Sequence, residues 1–272
     1  MSKLRRSARL VHMTHHLLNH PQQVIALKTF GDKYQAAKSS ISEDLTIIKE
    51  VFEEEGIGQL LTLAGATGGV RFIPSVAERE AKEWLMPLCD MLQDSMRILP
   101  GGYLYMSDLL ANPHYVKQIG RLFSARFAQQ EIDCVMTIET KGIPLAYATA
   151  EYLNVPVVIV RRDSKVTEGS AVSINYVSGS QKRIQTMWIA RRAIHEQQRV
   201  LIIDDFMKAG STIHGMIQLL HEFDARVAGV GVFVENYVDG ERLVDDYISL
   251  ARITSWNSKE GSLKVGLGNY FQ

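Results

Sequence analysis

One run of thirteen residues constrains this chain more than any other: Val200-Leu201-Ile202-Ile203-Asp204-Asp205-Phe206-Met207-Lys208-Ala209-Gly210-Ser211-Thr212. Four apolar residues, three of them β-branched, are too short a stretch for a helix and suit a buried strand. That strand delivers two adjacent carboxylates at its tip. A small glycine-containing loop then enters a helix at about Ser211. Backbone N–H groups of such a loop and helix start can surround a phosphate. The carboxylates can accept hydrogen bonds from vicinal sugar hydroxyls, directly or through a metal's water shell. Phosphate donors and diol acceptors within one short loop amount to a cradle for a ribose 5-phosphate.

The surrounding sequence predicts an α/β domain. Short β-rich runs fall at 134–138, 156–160, 200–204 and 227–235, and helices are expected at 143–152, 185–195 and 211–223. Such alternation predicts a mostly parallel sheet with helices on both faces, whose ligands bind beyond the carboxyl ends of the strands. Residues 75–130 read as mainly helical. A helix over 78–99 would bury Trp84, Leu85, Leu88, Met91, Leu92 and Met96, and one over 115–127 would bury Ile119, Leu122, Phe123 and Phe127. Between them Pro100-Gly101-Gly102 breaks the chain before a short strand, Tyr103-Leu104-Tyr105-Met106.

The first 74 residues have a different character. They carry nine basic and seven acidic residues, a net charge of +2 that the neutral whole offsets with −2 in residues 75–272. Leu10, Met13, Leu17 and Leu18 form one helical face; a short second helix follows from Ile25. Ser40 and Glu43 match a capping box at the start of a third, in which Ile41, Leu45, Ile48, Val51 and Phe52 recur at helical spacing. Two strands around a glycine-rich turn close the segment. Three helices and a hairpin are the order of a winged helix-turn-helix. Its third helix would present Lys38, Ser39, Ser40, Ser42, Thr46 and Lys49 to a major groove, and its wing would bring Gly68 and Arg71 to the neighbouring backbone. Arg5 and Arg6 add cationic charge. The alternative for this segment is a small helical dimerisation or protein-interaction module with solvated charges.

Composition removes other classes. With 46% hydrophobic and 22% charged residues the chain can bury a sizeable core. No apolar run approaches the roughly 20 residues that span a bilayer, and the basic N-terminus lacks the apolar stretch of a signal peptide. Cys89 and Cys134, far apart in apolar contexts, make neither a disulfide framework nor a zinc site, so the expected compartment is the cytoplasm and no metal ligand set is assigned.

Residues 200–212 resemble the phosphoribosyl pyrophosphate (PRPP) motif of the type I phosphoribosyltransferases, in which an acidic pair precedes Thr-Gly-x-Thr. Gly210 and Thr212 match the second and last positions of that loop; Ala209 stands where the enzymes have a threonine, and one hydroxyl donor is absent. Thr140-Lys141-Gly142 resembles the family's pyrophosphate loop. The polar stretch from Arg161 and Arg162 through Lys165 to Gly179 corresponds to the mobile loop over the site; these cations either pair with diphosphate oxygens or form a solvated surface. A winged helix fused ahead of such a domain resembles the purine operon repressor family of Gram-positive bacteria, along the whole chain.

That resemblance implies a winged-helix DNA-binding domain over 1–74 and a phosphoribosyltransferase-like effector domain over 75–272. It implies a dimeric regulator of purine biosynthesis genes, binding DNA and no membrane, in which the fold's transferase chemistry is lost. It further implies PRPP as effector, with or without Mg²⁺, and guanosine tetraphosphate as a competing ligand. The implied PRPP site comprises Tyr103, Thr140, Lys141, Gly142, Arg162, Lys165, Asp204, Asp205, Phe206, Met207, Lys208, Ala209, Gly210, Ser211 and Thr212. The alternative is a working purine phosphoribosyltransferase with an appended regulatory domain.

Overall fold

A computed structural model describes residues 4–65, 68–164, 166–178, 183–236, 242–257 and 262–272. Helices α1 (Arg6–Leu18), α2 (Leu27–Tyr34) and α3 (Lys38–Glu54) pack on a small antiparallel sheet of β1 (Val24–Ile25), β2 (Gly58–Leu63) and β3 (Gly69–Pro74), in the order β1-β3-β2. Met13 and Leu17 from α1, Phe30 and Tyr34 from α2, and Ile41, Leu45, Ile48 and Phe52 from α3 close one core over Leu60, Val70 and Phe72. This is the winged arrangement expected. The expected capping box is not formed. Helix α3 starts at Lys38 behind an extended Ala37, with no side-chain cap. Starting there adds a turn that seats Ile41 fully in the core, and it leaves Ser40 inside the helix instead of ahead of it.

A buried ion pair sets the angle of α3. Asp44 is completely enclosed, and its carboxylate accepts from Nε of the buried Arg9 and, at 3.1 Å, from Nε of Arg6. Both arginines belong to α1, so the pair joins the first helix to the third.

The rest of the chain begins with α4 (Glu78–Leu92), the hairpin β4 (Ile98–Leu99) and β5 (Tyr103–Leu104), and α5 (Ser107–Leu110) and α6 (Pro113–Phe127). The single helix expected over 78–99 ends at Leu92. There the Asp94 carboxylate accepts from the Met96 N–H at 2.9 Å and starts a separate 3-10 turn, Ser95–Arg97. The strand expected over 103–106 contracts to Tyr103–Leu104, paired across a turn in which Gly101 and Gly102 have φ of 82° and 78°, a region glycine enters without a Cβ clash.

The chain continues through β6 (Cys134–Ile138), α7 (Gly142–Leu153), β7 (Val157–Val160), a separate two-stranded hairpin of β8 (Ala171–Ser178) and β9 (Arg183–Ala190), then β10 (Arg199–Met207), α8 (Ser211–His221), β11 (Arg226–Asn236), β12 (Ile248–Asn257) and β13 (Ser262–Leu267), and six of these strands form the main sheet. Its order is β13-β12-β11-β10-β6-β7, parallel throughout except for β13. Period-two side-chain alternation lets β10 serve two cores. Leu201 and Ile203 face α4, α6 and α7; Val200 and Ile202 face α8 and the β8–β9 hairpin. A strand buried on both faces reads as a continuous apolar run.

The helix expected over 185–195 is instead strand β9 through Ala190, followed by a 3-10 turn at Arg191–Ala193. Met187 and Ile189 alternate into the α8 core while Ile184 points to solvent, and β9 pairs with β8 along its length. Period two, not 3.6, governs this segment. Gly215 of α8 permits the docking, because a Cβ there would lie 3.0–3.2 Å from Met187 and Tyr176. Cys89 and Cys134 are buried and unlinked, and burial pushes both thiols up to about 11. Among the described residues no helix is long and apolar enough to cross a membrane.

Asp44→Ala strands the buried Arg9 guanidinium. Removing one partner of a buried pair costs about 3–5 kcal/mol, so urea unfolding of the head is expected to show a loss of that size. A loss below about 1 kcal/mol would assign the α1–α3 angle to apolar packing alone.

Candidate functional site

A cleft opens where the sheet splits. Strands β6 and β10 pair only from Val200 opposite Cys134 to Ile202 opposite Met136. Beyond that point Thr137 and Ile138 stay with β7, whereas Asp204, Phe206 and Met207 stay with β11. The sequence order reverses at this seam, which is where open α/β sheets hold ligands. A cavity of about 780 Å³ lies there.

Three walls of the cleft come from residues singled out in the sequence. Thr140 and Lys141 line one side, ahead of α7. Gly142 begins that helix so close to the seam that a Cβ would fall 2.2 Å from Thr137 Oγ1 and 3.3 Å from Asp204 Oδ1. Asp204, Asp205, Phe206 and Thr212 form the floor, and Tyr103 hangs over it from the β4–β5 hairpin, its ring 5.9 Å from that of Phe206. The third wall is Arg162, whose Nη1 donates to Gln185 Oε1 at 3.0 Å and Tyr176 Oη at 3.2 Å.

Behind the acidic pair lies a smaller notch. About 70 Å³ in volume, it is lined by Tyr103, Asp204 and residues 206–213, which include Met207, Lys208, Ala209, Gly210 and Ser211. Gly210 has φ of 82°, and α8 follows with no side-chain cap and no acidic residue in its first turn. The helix start therefore presents its backbone donors and dipole to the notch. Lys208 does not point into it: Nζ donates to the Gly101 carbonyl at 3.2 Å, and Asn236 Nδ2 approaches the Gly102 carbonyl at 3.5 Å. These contacts hold the β4–β5 turn above the floor.

Burial raises the Asp204 carboxyl well above the usual range, and the neighbouring Asp205 charge adds to it; the Asp205 N–H bond to Asp204 Oδ1 at 3.0 Å and the Arg162 charge oppose it. Burial also raises Asp205, against the pull of its bond to Asp204 and of Lys141. Two crowded carboxylates accept hydroxyl donors or a hydrated cation well. Among the described residues no group of three or more His, Cys, Asp or Glu is placed to hold a metal by itself.

Two polar wall residues, Glu139 and Gln185, were not anticipated, nor were the apolar Leu99, Pro100, Leu104, Met106 and Ile138. Glu139 accepts the Arg162 backbone N–H at 2.8 Å and the Arg161 guanidinium at 3.2 Å, tying the loop before α7 to the end of β7. Gln185 was hidden by its assignment to a helix; the alternating Ile184, Thr186 and Trp188 were the available signal. Lys165 lies outside the described residues.

The second candidate site is the N-terminal face. Lys38, Ser39, Ser42, Thr46 and Lys49 are exposed along α3, and Ser40 is half-buried. A groove of about 700 Å³ runs between α2, the start of α3 and the wing, with Lys28, Lys38, Gly65, Gly68 and Gly69 on its walls. Lys28 was not anticipated. Helices α2 and α3 both start without a side-chain cap or a first-turn acid, so both turn positive ends outward. Arg5 is exposed. Arg6 is half-exposed but engaged with Asp44 and, at 3.7 Å, with Glu43. Arg71 sits within β3, opposite Val24 and Leu61, and its Nε is buried without a hydrogen-bond partner; it is not at the turn.

The comparisons agree with this two-part layout. Residues 5–74 match the family described as "Bacterial purine repressor, N-terminal", and residues 106–265 match the "Phosphoribosyl transferase domain". The chain is 58% identical to the purine biosynthesis transcriptional repressor PurR of Bacillus subtilis (strain 168), over 99% of this chain and 95% of the relative. It is 47% identical to the purine biosynthesis transcriptional activator PurR of Lactococcus lactis, over 98% of this chain and 99% of the relative. Among solved structures, adenine phosphoribosyltransferase from Thermoanaerobacter pseudethanolicus superposes with a TM-score of 0.54 at 20% identity, covering 61% of this chain and 99% of that one, which shows the fold.

Because the folded Asp204 carboxyl holds its proton more tightly than an unfolded one, its ionisation destabilises the protein as pH rises through the folded-state pKa. Below the usual carboxylate value near 4 that penalty is gone. Asp204→Asn is therefore expected to raise the melting temperature at pH 7–8, with the gain shrinking as pH falls toward about 4. A pH-independent difference would contradict the raised pKa.

Proposed function

Since the chain belongs to the family of bacterial purine biosynthesis transcriptional regulators, we propose that it controls purine biosynthesis genes as a PRPP-responsive repressor. Residues 1–74 form the DNA-binding head and residues 75–272 the effector unit. Repression is the direction named in the more similar of the two relatives. The observation that carries the effector reading is the juxtaposition at one strand end of the Asp204–Asp205 pair and the uncapped Gly210–Ser211 helix start.

PRPP fits the chemistry of each wall. Its 5-phosphate takes the notch of residues 206–212. Its ribose hydroxyls donate to Asp204 and Asp205. Its diphosphate lies toward Thr140, Lys141 and Arg162, with Gly142 giving the backbone close approach. Mg²⁺, when bound, would neutralise diphosphate charge beside Asp205. Guanosine tetraphosphate, equally rich in phosphate, competes for the same cleft. PRPP is the substrate that starts purine synthesis, so its concentration reports demand. The loop lacks a threonine hydroxyl at Ala209, and the β4–β5 turn is tied over the floor by Lys208 and Asn236; the cleft binds PRPP without transferring it to a base. A two-fold homodimer in the cytoplasm suits a helix-turn-helix head reading paired half-sites.

On the DNA side, α3 enters the major groove with Lys38, Ser39, Ser40, Ser42, Thr46 and Lys49. Gly68 and the wing follow the backbone, and Arg5 and Arg6 add salt-dependent attraction. Arg71 contributes from within the wing sheet.

Calorimetric injection of PRPP, followed by an anisotropy titration of a purine-gene promoter fragment with and without PRPP, tests the reading. Binding with weakened DNA affinity is expected; a silent calorimeter would remove the effector assignment. Asp204→Ala with Asp205→Ala should leave operator affinity largely intact and abolish the PRPP response. Retained induction would relocate the cradle. Lys38→Ala should lower the slope of log K against log salt by about 0.9, the release expected for one phosphate contact. An unchanged slope would move the contact surface off the start of α3. Turnover with PRPP and a purine base would favour the transferase.

A further inference from the structure

Arg121 joins the two halves at a mechanically sensitive place. It lies on α6, with its side chain 19% exposed. Nη1 donates to Glu80 Oε1 at 2.6 Å, while Nη2 donates to the main-chain carbonyls of Gly56 at 3.0 Å and Ser75 at 3.1 Å. Gly56 is the left-handed residue, φ 64°, directly after the C-cap of α3. Ser75 is the first residue after β3. One guanidinium thus holds the C-terminal end of α3 and the exit of the wing against the effector unit. Cations favour helix C-termini, where carbonyls lack intrahelical partners.

The other end of this connection is the cleft. Helix α7 starts at Gly142, against Asp204, and runs 12 residues. Its Ala148 meets α6 at Gly120, the residue before Arg121. A Cβ on Gly120 would lie 2.5–2.8 Å from Ala148 Cβ, C and O, so the backbone of α6 packs directly onto Ala148, with only its single methyl and main chain at the contact. A shift of α7 is passed to α6 there, since close-packed elements transmit displacement instead of absorbing it.

We propose that Arg121 is the positioning residue that couples cleft occupancy to the orientation of α3. Resting on the effector reading above, the inference names its route: the loop before Gly142, α7, the Ala148–Gly120 contact, Arg121, and the Gly56 carbonyl. Leverage makes small shifts matter. Helix α3 has 17 residues, about 25 Å at 1.5 Å per residue. A tilt of about 2° at Gly56 moves Lys38 by about 1 Å over that length.

The test measures operator affinity with and without saturating PRPP, and the PRPP affinity of the free protein, for the wild type and Arg121→Gln. The ratio of the two operator affinities is the coupling factor, commonly about 5–150-fold in allosteric proteins. In Arg121→Gln it is expected to fall toward 1 while PRPP still binds the free protein at near wild-type affinity. Arg121→Lys keeps a cation beside Glu80 and gives up the fork to the two carbonyls; it should also lose coupling, and it serves if the glutamine variant does not fold. By linkage, operator DNA should weaken PRPP binding in the wild type by the same factor and leave it unchanged in the variants. A responsive wild type beside equally responsive variants overturns the inference alone. A wild type that ignores PRPP overturns the effector reading and the inference with it.

Discussion

The seam between β6 and β10 is the constraint on which the cleft at Asp204 depends. The two strands share three paired positions and then part, each following its outer neighbour. A parting sheet leaves unpaired backbone and a polar crevice that apolar side chains cannot fill. Asp204 and Gly142 occupy it: one supplies charge at the strand end, and the other supplies the absence of a side chain. Because β10 is apolar on both faces, the carboxylate is held by packing on two sides, and the same burial that fixes its position raises its pKa. The energetic cost of an enclosed acid is tolerated where a ligand's hydroxyls or a cation can relieve it.

The N-terminal head follows a different rule. Its groove-facing surface is not organised by dedicated caps: α2 and α3 start behind alanines, and their exposed donors and dipoles face outward with the lysines beside them. Order comes from behind, through the Asp44 pair to α1 and the Arg121 fork at the far end of α3. A helix held at its back and left chemically open at its front can meet phosphate without first surrendering an internal partner.

Much of this was legible in the sequence, for a physical reason. Strand 200–204, the turn at Gly210 and the start of α8 are local: each needs only neighbours in the chain, and a buried two-faced strand has few other ways to read. The fold class and the two-part layout followed. The misreadings share a cause as well. Residues 185–195 carry enough helix formers to suggest a helix, yet their partner is β8 and their core is α8, both distant information. The capping box at Ser40 was a correct local pattern overridden by the need to seat Ile41. The break after Leu92 depended on where the Asp94 carboxylate points. No sequence pattern marks Arg121 either: Glu80 is 41 residues away, and its other partners are main-chain carbonyls, which every residue has.

The two cysteines lie in the part of the chain after residue 74, with their thiols enclosed and their ionisation pushed toward alkaline pH. Thiolates are the reactive species, so the folded surface is chemically silent toward maleimides and disulfide reagents near neutrality. A cysteine introduced at any exposed position would be the one labelled by a dye, and domain motion could then be followed by fluorescence in the otherwise unaltered chain.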